Sequence, residues 1–378
     1  MAFGFFKKNK DKKQHSVGLE DGKPSNSHYY NLKVKNIVRE TKDAISIVFE
    51  MPAPEMSYKS GQFITIIRQI DGKEVRRSYS FCSAPGIDED IAVTIKRVEG
   101  GLMSNYLPDY LNVGDSVRVM EPMGNFTTEF DPGDKRHIIM FAGGSGITPM
   151  MSLMKSILTQ EPESVVSLIY ANRNIDSIIF KAELDKWQTR HEGRLQVIHI
   201  LDEAPMNWQG HSGLLNHEML TKLLERIPDW GEEKTTYLMC GPEGMMNNVE
   251  TLLARHNVTR DKIIKESFVA GTIDKEDKAD QEGEAKLKTR TVKIKYEGEE
   301  YSITVEPGKT ILETALDENI DLPYSCQAGL CTACRGKCLS GKVKMDEDEG
   351  LSQDEREEGY VLTCVGHPLT DDVTIEIG

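Results

Sequence analysis

The 378-residue chain has little of what would place it in a membrane, outside the cell or on a nucleic acid. It has no apolar run of the roughly 18 residues that a membrane-spanning helix needs. It has only seven cysteines, an odd number that disfavours a disulfide framework, and no recognisable secretory signal, so we expect a cytoplasmic protein. Lys and Arg number 46 against 61 Asp and Glu, and the net charge of −15 disfavours nucleic-acid binding.

The first 27 residues form a segment with little to bury. An aromatic and basic tip over residues 1–13 precedes polar sequence. Such a tip could touch an anionic membrane surface, but it is too short for an anchoring helix. We therefore predict a disordered tail over residues 1–27 and no stable membrane contact.

Four of the cysteines have an informative spacing. Cys326, Cys331 and Cys334 form C-x₄-C-x₂-C, and Cys364 follows after a long gap. Two irons and two sulfides need four thiolates, and this is the spacing with which plant-type ferredoxins hold a [2Fe–2S] cluster. A zinc ribbon is a weaker alternative, because it would require a second C-x₂-C.

Cys338 offers a different fourth ligand, since with Cys331 and Cys334 it imitates part of a bacterial ferredoxin motif. It stands, however, in a segment (335–341) that is typical of a strand and turn. We predict that Cys338 is a structural thiol and that Cys364 completes the cluster site.

Residues 290–378 are predicted to form an α+β domain around these cysteines. A strand hairpin precedes the capping box Thr310–Glu313, and further strands follow the cysteine loop. This order resembles the β-grasp ferredoxin domain. The domain has 9 Lys and Arg against 19 Asp and Glu. Its acidic blocks (346–349 and 354–358) suit either a solvated face or a docking surface for a redox partner.

Residues 271–289 are predicted to be a charged linker, because they contain almost no residue that could join a core. Motion of this linker would let the cluster domain visit first the electron donor and then the acceptor. A shortened linker should then slow reduction of the partner and spare the earlier step.

Residues 28–133 show short alternating strands between Gly and Pro turns, which predicts a small antiparallel β-barrel. Arg77 and Tyr79 would share one face of a strand, and Ser80 follows them. A guanidinium beside a phenol ring suits a ligand with a phosphate and a flat ring system. The segment from Gly101 to Ser104 should open a helix whose free N–H groups receive a diphosphate.

Residues 134–270 change to alternating strands and helices, which predicts an α/β domain with a parallel sheet. An apolar strand leads directly into a glycine-rich turn and a helix start, an arrangement that binds a dinucleotide diphosphate on backbone N–H groups. Proline replaces the third glycine of the usual fingerprint and is favourable in a first helical turn. The candidate residues are Gly143, Gly144, Gly146, Thr148 and Pro149.

Together these motifs resemble the ferredoxin–NADP⁺ reductase family: R-x-Y-S, G-x-x-S-x-x-L and G-G-x-G-I-T-P, here followed by a ferredoxin domain. The resemblance implies that Arg77 holds the FAD diphosphate, that Tyr79 stacks on the isoalloxazine and that Ser80 bonds near its N5 atom. Gly101 and Ser104 belong to the second flavin motif.

The resemblance also assigns residues at strand ends of the nucleotide domain. Arg173 would contact the adenosine ribose or its 2′-phosphate, which favours NADPH slightly over NADH. Cys240 and Gly241 would lie beside the nicotinamide, although a cysteine at this place is commonly just a buried strand residue. Glu266 and Phe268 would approach the flavin, although an exposed Glu and a buried Phe at a strand end are also ordinary.

The function implied by the resemblance is electron transfer from NAD(P)H through FAD and the [2Fe–2S] cluster to an acceptor protein. Within the family the chain is most similar to the reductase components of phenylacetyl-CoA epoxidases, and next to those of steroid hydroxylases and fatty-acid desaturases. The expected partner is therefore an oxygenase, which could dock on the acidic ferredoxin domain. Alternatives are a reductase for a hybrid-cluster, desaturase or haem protein, and a redox-sensing regulatory module.

Overall fold

The computed structural model describes residues 29–268, 288–327, 329, 331–348 and 350–378. The predicted tail (1–27) and nearly all of the predicted linker (271–289) lie outside the described residues. Within the described part of the chain, no helix is long and apolar enough to cross a membrane.

The first unit is a six-stranded antiparallel sheet that curls around an apolar core, in the order β4-β3-β6-β1-β2-β5. Alternation of apolar and polar residues buries one face of each strand. One helix, α1, covers the end near β4 and β5. The elements are β1 (Tyr29–Arg39), β2 (Ala44–Phe49), β3 (Phe63–Ile70), β4 (Lys73–Ser80), β5 (Ile91–Lys96), α1 (Leu102–Tyr110) and β6 (Ser116–Met120).

The second unit is a six-stranded parallel sheet, in the order β10-β9-β8-β7-β11-β12, with helices on its faces. Apolar runs such as His137–Gly143 are buried along their whole length, as parallel strands between helices require. The elements are β7 (His137–Gly143), α2 (Ile147–Gln160), β8 (Val165–Asn172), α3 (Lys181–Arg190), β9 (Leu195–Leu201), β10 (His211–Ser212), α4 (His217–Leu224), β11 (Thr235–Cys240), α5 (Glu243–Arg255) and β12 (Ile263–Glu266).

The third unit is a mixed five-stranded sheet, in the order β14-β13-β19-β15-β17, with a separate two-stranded ribbon. The predicted capping box is present: Thr310 accepts from the backbone N–H of Glu313, whose carboxylate accepts from that of Thr310. The elements are β13 (Arg290–Tyr296), β14 (Glu299–Val305), α6 (Ile311–Asp317), β15 (Arg335–Ser340), β16 (Val343–Met345), α7 (Gln353–Glu357), β17 (Tyr360–Leu362), β18 (Gly366–Pro368) and β19 (Thr374–Ile377).

These three sheets confirm the predicted architecture of an antiparallel barrel, a parallel α/β domain and an α+β domain. Helix α2 joins the first two units, because one apolar core contains its residues together with Cys82 and Phe126 from the barrel. Polar contacts reinforce the junction: the Ser152 hydroxyl donates to the backbone oxygen of Ser83 at 2.6 Å. The barrel and the parallel-sheet unit thus share apolar and polar contacts through this helix.

A buried ion pair closes the far end of the same junction. The carboxylate of Glu161, directly after α2, is fully buried and accepts two hydrogen bonds from Arg136, at 2.6 and 3.0 Å. Arg136 also donates to the Thr128 hydroxyl and to the backbone oxygen of Glu129 in the barrel. Removing one member of such a pair leaves a buried charge without compensation.

We therefore predict that Arg136→Met lowers the free energy of unfolding by about 3–5 kcal/mol. All three tryptophans, Trp187, Trp208 and Trp230, lie in the parallel-sheet unit, so tryptophan fluorescence during urea unfolding follows this unit. The control is Lys135→Met at the preceding position, whose ion pair with Glu163 is exposed and should contribute less than about 1 kcal/mol. Equal effects of the two substitutions would contradict the assignment.

Candidate functional site: a flavin, nicotinamide and cluster relay

Strand β4 brings the residues of the R-x-Y-S motif to one end of the barrel. Arg77 and Tyr79 alternate with Ser78 along the strand, opposite Ile66 and Ile64 of β3. Burial raises the pKa of Tyr79, and the neighbouring Arg77 opposes this rise. The Arg77 guanidinium donates to the backbone oxygen of Arg76 at 2.7 Å, which fixes its stem along the strand. The motif therefore presents a phenol ring and a cation together.

The ends of three strands from two units meet beside this motif. Cys240 and Glu266 are neighbours across β11 and β12, and the Glu266 carboxyl lies beside Ser80 at the end of β4. Burial raises the pKa of Glu266 to about 8, while the Ser80 hydroxyl lowers it. Burial, and then the charge of Glu266, raises the pKa of the Cys240 thiol. Both shifts favour the protonated form of the group.

Two polar atoms in this meeting point test whether a flavin fits. The Oγ atom of Ser80 and the Oε2 atom of Glu266 are buried and, within the described residues, have no hydrogen-bond partner of normal geometry. Buried polar atoms are nearly always satisfied in native proteins. Ser80 directly follows Tyr79 on β4, so a ring system with polar edge atoms would fit a site that combines the Tyr79 ring with these two groups.

The second flavin motif forms the start of α1. Gly101 is the residue that caps the helix, and Ser104 lies in its first turn. The Ser104 hydroxyl accepts from the backbone N–H of Val98 at 3.2 Å, and a Cβ at position 101 would lie only 2.4 Å from that hydroxyl. Glycine is therefore required for the tight entry to the helix, whose first N–H groups remain available to an anion.

The glycine-rich turn follows β7 as predicted. Gly143 ends the strand, a 3₁₀ turn covers Gly144–Gly146, and α2 begins at Ile147 with Thr148 and Pro149 in its first turn. The Thr148 hydroxyl donates to the backbone oxygen of Ser145 at 2.8 Å. Gly144 has a φ of +53°, a conformation that favours glycine.

The glycines also let this turn pack directly against the end of β11. A Cβ at Gly146 would lie 2.0 Å from the backbone oxygen of Cys240, and one at Gly241 would lie 2.9 Å from the backbone nitrogen of Gly143. The glycines of the turn and the Cys240-Gly241 pair are consequently parts of one site at the carboxyl edge of the sheet, where ligands bind in open α/β sheets.

A cation that the sequence patterns did not single out faces this turn from the barrel. Lys96 is the last residue of β5, and its Nζ atom would lie 3.2 Å from a Cβ atom built at Gly144. Burial lowers the pKa of Lys96, and the nearby Arg173 lowers it further. Two like charges that repel each other at a diphosphate-binding turn form a site for an anion. The run of Lys96 and Arg97 after a buried strand was the available sequence clue.

Arg173 is exposed and follows the last residue of β8. Its backbone oxygen accepts from the N–H of Glu203 at 2.7 Å, so an acidic segment runs alongside it. Burial and the charge of Glu203 raise the pKa of Asp202, whereas Arg173 lowers it. The surroundings of Arg173 thus contain both the cation Lys96 and two carboxylates.

An ordinary strand end would have an exposed Glu266 and a buried Phe268. The structure shows the reverse. The Glu266 carboxyl is buried, while Phe268, the last described residue before the gap, is 43% exposed. The exposed fractions of both residues are thus the reverse of that ordinary arrangement.

The four cysteines of the predicted cluster site come together. A hydrogen bond with Cys326, then burial, raises the pKa of Cys331, and contacts with Cys326 and Cys334 raise that of Cys364. Thr363 holds the segment of Cys364 beside the cysteine loop, because its hydroxyl and its N–H both donate to the backbone oxygen of Cys334, at 3.0 and 3.1 Å.

The backbone of the cysteine loop is tightly enclosed. Gly329 has a φ of +72°, and a Cβ there would lie 2.7 Å from the backbone oxygen of Glu347. A Cβ at Gly350 would likewise lie 2.7 Å from the backbone nitrogen of Cys331. Only glycine leaves room for the backbone at these two positions of the loop, and backbone N–H groups around a cluster are among the groups that tune an iron–sulfur centre.

Cys338 lies apart from the thiol group, on β15. Its thiol donates to the backbone oxygen of Ser340 at 3.2 Å, as a structural thiol would. Among the described residues, no group of three or more His, Cys, Asp or Glu side chains is arranged to hold a single metal ion. A [2Fe–2S] cluster fits the chemistry of the four-thiol set, in which the ligands are shared between two irons.

Comparison with known families matches all three units. Residues 31–128 match the family described as Oxidoreductase FAD-binding domain, residues 140–251 match Oxidoreductase NAD-binding domain, and residues 294–369 match 2Fe-2S iron-sulfur cluster binding domain.

Individual relatives align over nearly the whole chain. One of the subunits of the 1,2-phenylacetyl-CoA epoxidase of Escherichia coli is 33% identical over 355 residues, covering 92% of this chain and 97% of the relative. The ferredoxin reductase component of 3-ketosteroid-9-alpha-monooxygenase from Rhodococcus rhodochrous is 34% identical, with 93% and 98% coverage. The solved structure of phthalate dioxygenase reductase has the same fold, with a TM-score of 0.57, 21% identity and coverage of 92% and 98%.

These matches confirm the predicted cofactors, FAD, NAD(P)H and a [2Fe–2S] cluster. The chain belongs to the ferredoxin–NADP⁺ reductase-like family of NAD(P)H-dependent oxidoreductases that combine FAD- and NAD-binding domains with a C-terminal [2Fe–2S] ferredoxin domain.

Proposed function

We propose that this protein is the reductase component of an oxygenase system, in which it delivers electrons from NAD(P)H to an oxygenase partner. The observation that supports the proposal is the convergence of the ends of β4, β11 and β12, where Cys240 pairs with Glu266 and Glu266 lies beside Ser80. When bound, FAD accepts a hydride from NAD(P)H and passes its electrons singly to the cluster.

The residues around the flavin site have distinct proposed roles. Arg77 binds the FAD diphosphate together with the start of α1 at Gly101 and Ser104, and Tyr79 stacks on the ring. Ser80 donates a hydrogen bond to the ring edge. Buried and protonated Glu266 supplies a second donor there, because a neutral carboxyl can donate where a carboxylate cannot.

The nicotinamide nucleotide is proposed to lie across the glycine-rich turn. Gly143, Gly144, Gly146, Thr148 and Pro149 form the turn and helix start that receive its diphosphate. Lys96 neutralises the diphosphate from the barrel side, and Arg173 contacts the 2′-phosphate of NADPH. Cys240 and Gly241 border the nicotinamide, and Phe268 approaches the flavin.

An oxygenase is the proposed acceptor because relatives at 31–34% identity are named as parts of oxygenase systems. One is a component of phenylacetyl-CoA epoxidase, and others are the reductase parts of ketosteroid monooxygenase and glycine betaine monooxygenase. The acidic ferredoxin domain supplies a surface for a basic partner. A cytoplasmic location is proposed because an iron–sulfur cluster and an odd number of cysteines suit a reducing compartment.

The purified protein tests this function directly. We expect flavin and [2Fe–2S] absorption bands together, about two irons per chain, and steady NAD(P)H-dependent reduction of cytochrome c with a higher kcat/KM for NADPH than for NADH. Reduction of an oxygenase partner should weaken as salt is raised, because exposed charges are screened. A protein that is reduced once but does not turn over would support a redox-sensing role instead.

The raised pKa of Glu266 predicts a pH-dependent stability. A pKa of about 8 in the folded protein, above that of an exposed glutamate, means that the folded state holds the proton more tightly. Stability conferred by this proton is present at low pH and is lost as the pH rises toward 8. The side chain at position 266 cannot titrate in the Glu266→Gln variant. As the pH rises toward 8, the free energy of unfolding of the variant should therefore increase relative to that of wild type, by up to about 1.4 kcal/mol per pH unit.

Urea unfolding between pH 5 and pH 9, followed by tryptophan fluorescence, measures this difference. Glu163→Gln removes an exposed carboxylate from the same domain and should keep the shape of the wild-type curve. A constant difference between Glu266→Gln and wild type across the range would show that the carboxyl is already ionised at neutral pH.

The assignment of the fourth cluster ligand predicts different results for two cysteines. Cys364→Ser should lose most of the iron and the cluster absorption, because Cys364 contacts Cys326 and Cys334. Cys338→Ser should keep about two irons per chain, and both variants should keep FAD. Iron analysis and visible circular dichroism decide between them; loss of the cluster from Cys338→Ser alone would reverse the assignment.

A further inference from the structure

The ferredoxin domain contacts the barrel through the segment just before its first cluster cysteine. The Arg76 guanidinium, on β4, donates to Asp321 at 2.6 Å across this boundary. The same guanidinium lies 4.4 Å from the ring centroid of Tyr324, a distance suited to a cation–π contact. Arg76 is only 3% exposed, whereas the Asp321 side chain is 57% exposed, so a buried guanidinium meets a carboxylate at the rim of the contact.

Arg76 is fixed on the barrel side before it meets the ferredoxin domain. Its Nε atom donates to Glu74 at 2.8 Å, and Glu74 is two residues away on the same strand. The guanidinium therefore keeps one carboxylate partner whatever the position of the ferredoxin domain. Its contacts with Asp321 and Tyr324 are additional, and they exist only while the two domains are together.

A second contact from the same face of β4 reaches the cluster loop itself. The hydroxyls of Ser78 and Ser325 are 2.6 Å apart. Ser78 stands between Arg77 and Tyr79 of the flavin motif, and Ser325, which is 2% exposed, directly precedes Cys326. One hydrogen bond thus connects the strand of the flavin site with the chain of a cluster ligand.

The other side of the cluster loop is also held. The Asn125 amide donates to Glu355 of α7 at 2.6 Å, and Glu355 pairs in addition with Arg335. Arg335 directly follows the cluster cysteine Cys334. Contacts at Asp321–Ser325 and at Glu355 therefore fix the loop against the barrel at two separate points.

We propose that Arg76 and Asp321 form a latch that positions the cluster for electron transfer from the flavin, and that Ser78 and Ser325 complete the contact. This inference rests on the electron-transfer order proposed above. One electron at a time passes from the reduced flavin to the oxidised cluster, and no bond between heavy atoms is formed or broken. The rate of such a step falls steeply with distance, so separation of the domains slows it without changing hydride transfer.

Asp321→Asn is the appropriate substitution, because Arg76 keeps Glu74 and the barrel should fold normally. Asp371→Asn is the matched control: it removes an Arg–Asp pair, with Arg290 at 3.0 Å, that lies wholly within the ferredoxin domain. Both variants are prepared as full chains with FAD and the [2Fe–2S] cluster bound.

Anaerobic stopped-flow mixing with NADPH separates the two steps. In Asp321→Asn we expect flavin reduction within two-fold of wild type and cluster reduction slowed at least ten-fold. Turnover with ferricyanide, which takes electrons directly from the flavin, should be unchanged, while cytochrome c reduction through the cluster falls. Hydrogen exchange, independent of activity, should show faster exchange at residues 73–80 and 321–327. Asp371→Asn should match wild type throughout.

These measurements give different results if the latch proposal is wrong and if the proposed electron-transfer function is wrong. Unchanged cluster reduction and unchanged hydrogen exchange in Asp321→Asn would overturn the latch. Equal slowing of flavin and cluster reduction would overturn it as well, since that result indicates general damage. Absence of any NAD(P)H-driven flavin reduction in the wild-type protein would instead contradict the proposed function.

Discussion

Strand β4 carries the predicted flavin-binding residues on one face and contacts the ferredoxin domain with the other. The arrangement of the domains is constrained by this shared strand. Side chains alternate across a β-strand, so β4 presents Arg77 and Tyr79 on one face and Arg76 and Ser78 on the other. The first face carries the flavin motif, and the second contacts Asp321 and Ser325 of the ferredoxin domain. The strand is rigid because it is paired with β3 along its whole length. A single strand thereby carries both the residues predicted to bind the flavin and two contacts with the ferredoxin domain.

The residues predicted to bind the nicotinamide nucleotide are brought together by short-range packing of the parallel-sheet unit. Glycines allow the turn after β7 to touch the end of β11, and α2 then carries the parallel sheet onto the barrel. The strand ends that result bring Ser80, Cys240 and Glu266 together, although they are far apart in the sequence. Burial at this point favours the protonated carboxyl and thiol, which would offer hydrogen-bond donors rather than negative charge to the flavin proposed there.

Features with a short-range cause could be predicted from the sequence. The capping box at Thr310, the glycine turn at Gly144 and the clustered cysteines each depend on a few adjacent residues, and the structure contains all three elements. Lys96 was missed because it reaches the glycine turn from another domain. The contact of Arg76 with Asp321 joins residues 245 positions apart, and no local pattern announces such a pair.

The acidic blocks of the ferredoxin domain also make a contact with another domain that the sequence pattern does not predict. The composition of the block at 354–358 suits a solvated face or a docking face for a partner, yet Ser352 caps a short helix there and Glu355 contacts Asn125 of the barrel. Part of the acidic surface is thus occupied within the chain.

The central claim is that a single chain passes electrons from nicotinamide to flavin and then to the cluster. Rapid-freeze electron paramagnetic resonance after anaerobic mixing with NADPH tests it most directly. The account predicts that the signal of a reduced [2Fe–2S] cluster grows after the flavin absorbance has begun to bleach. A flavin that bleaches fully while the cluster stays oxidised, or a cluster reduced before the flavin, would contradict it.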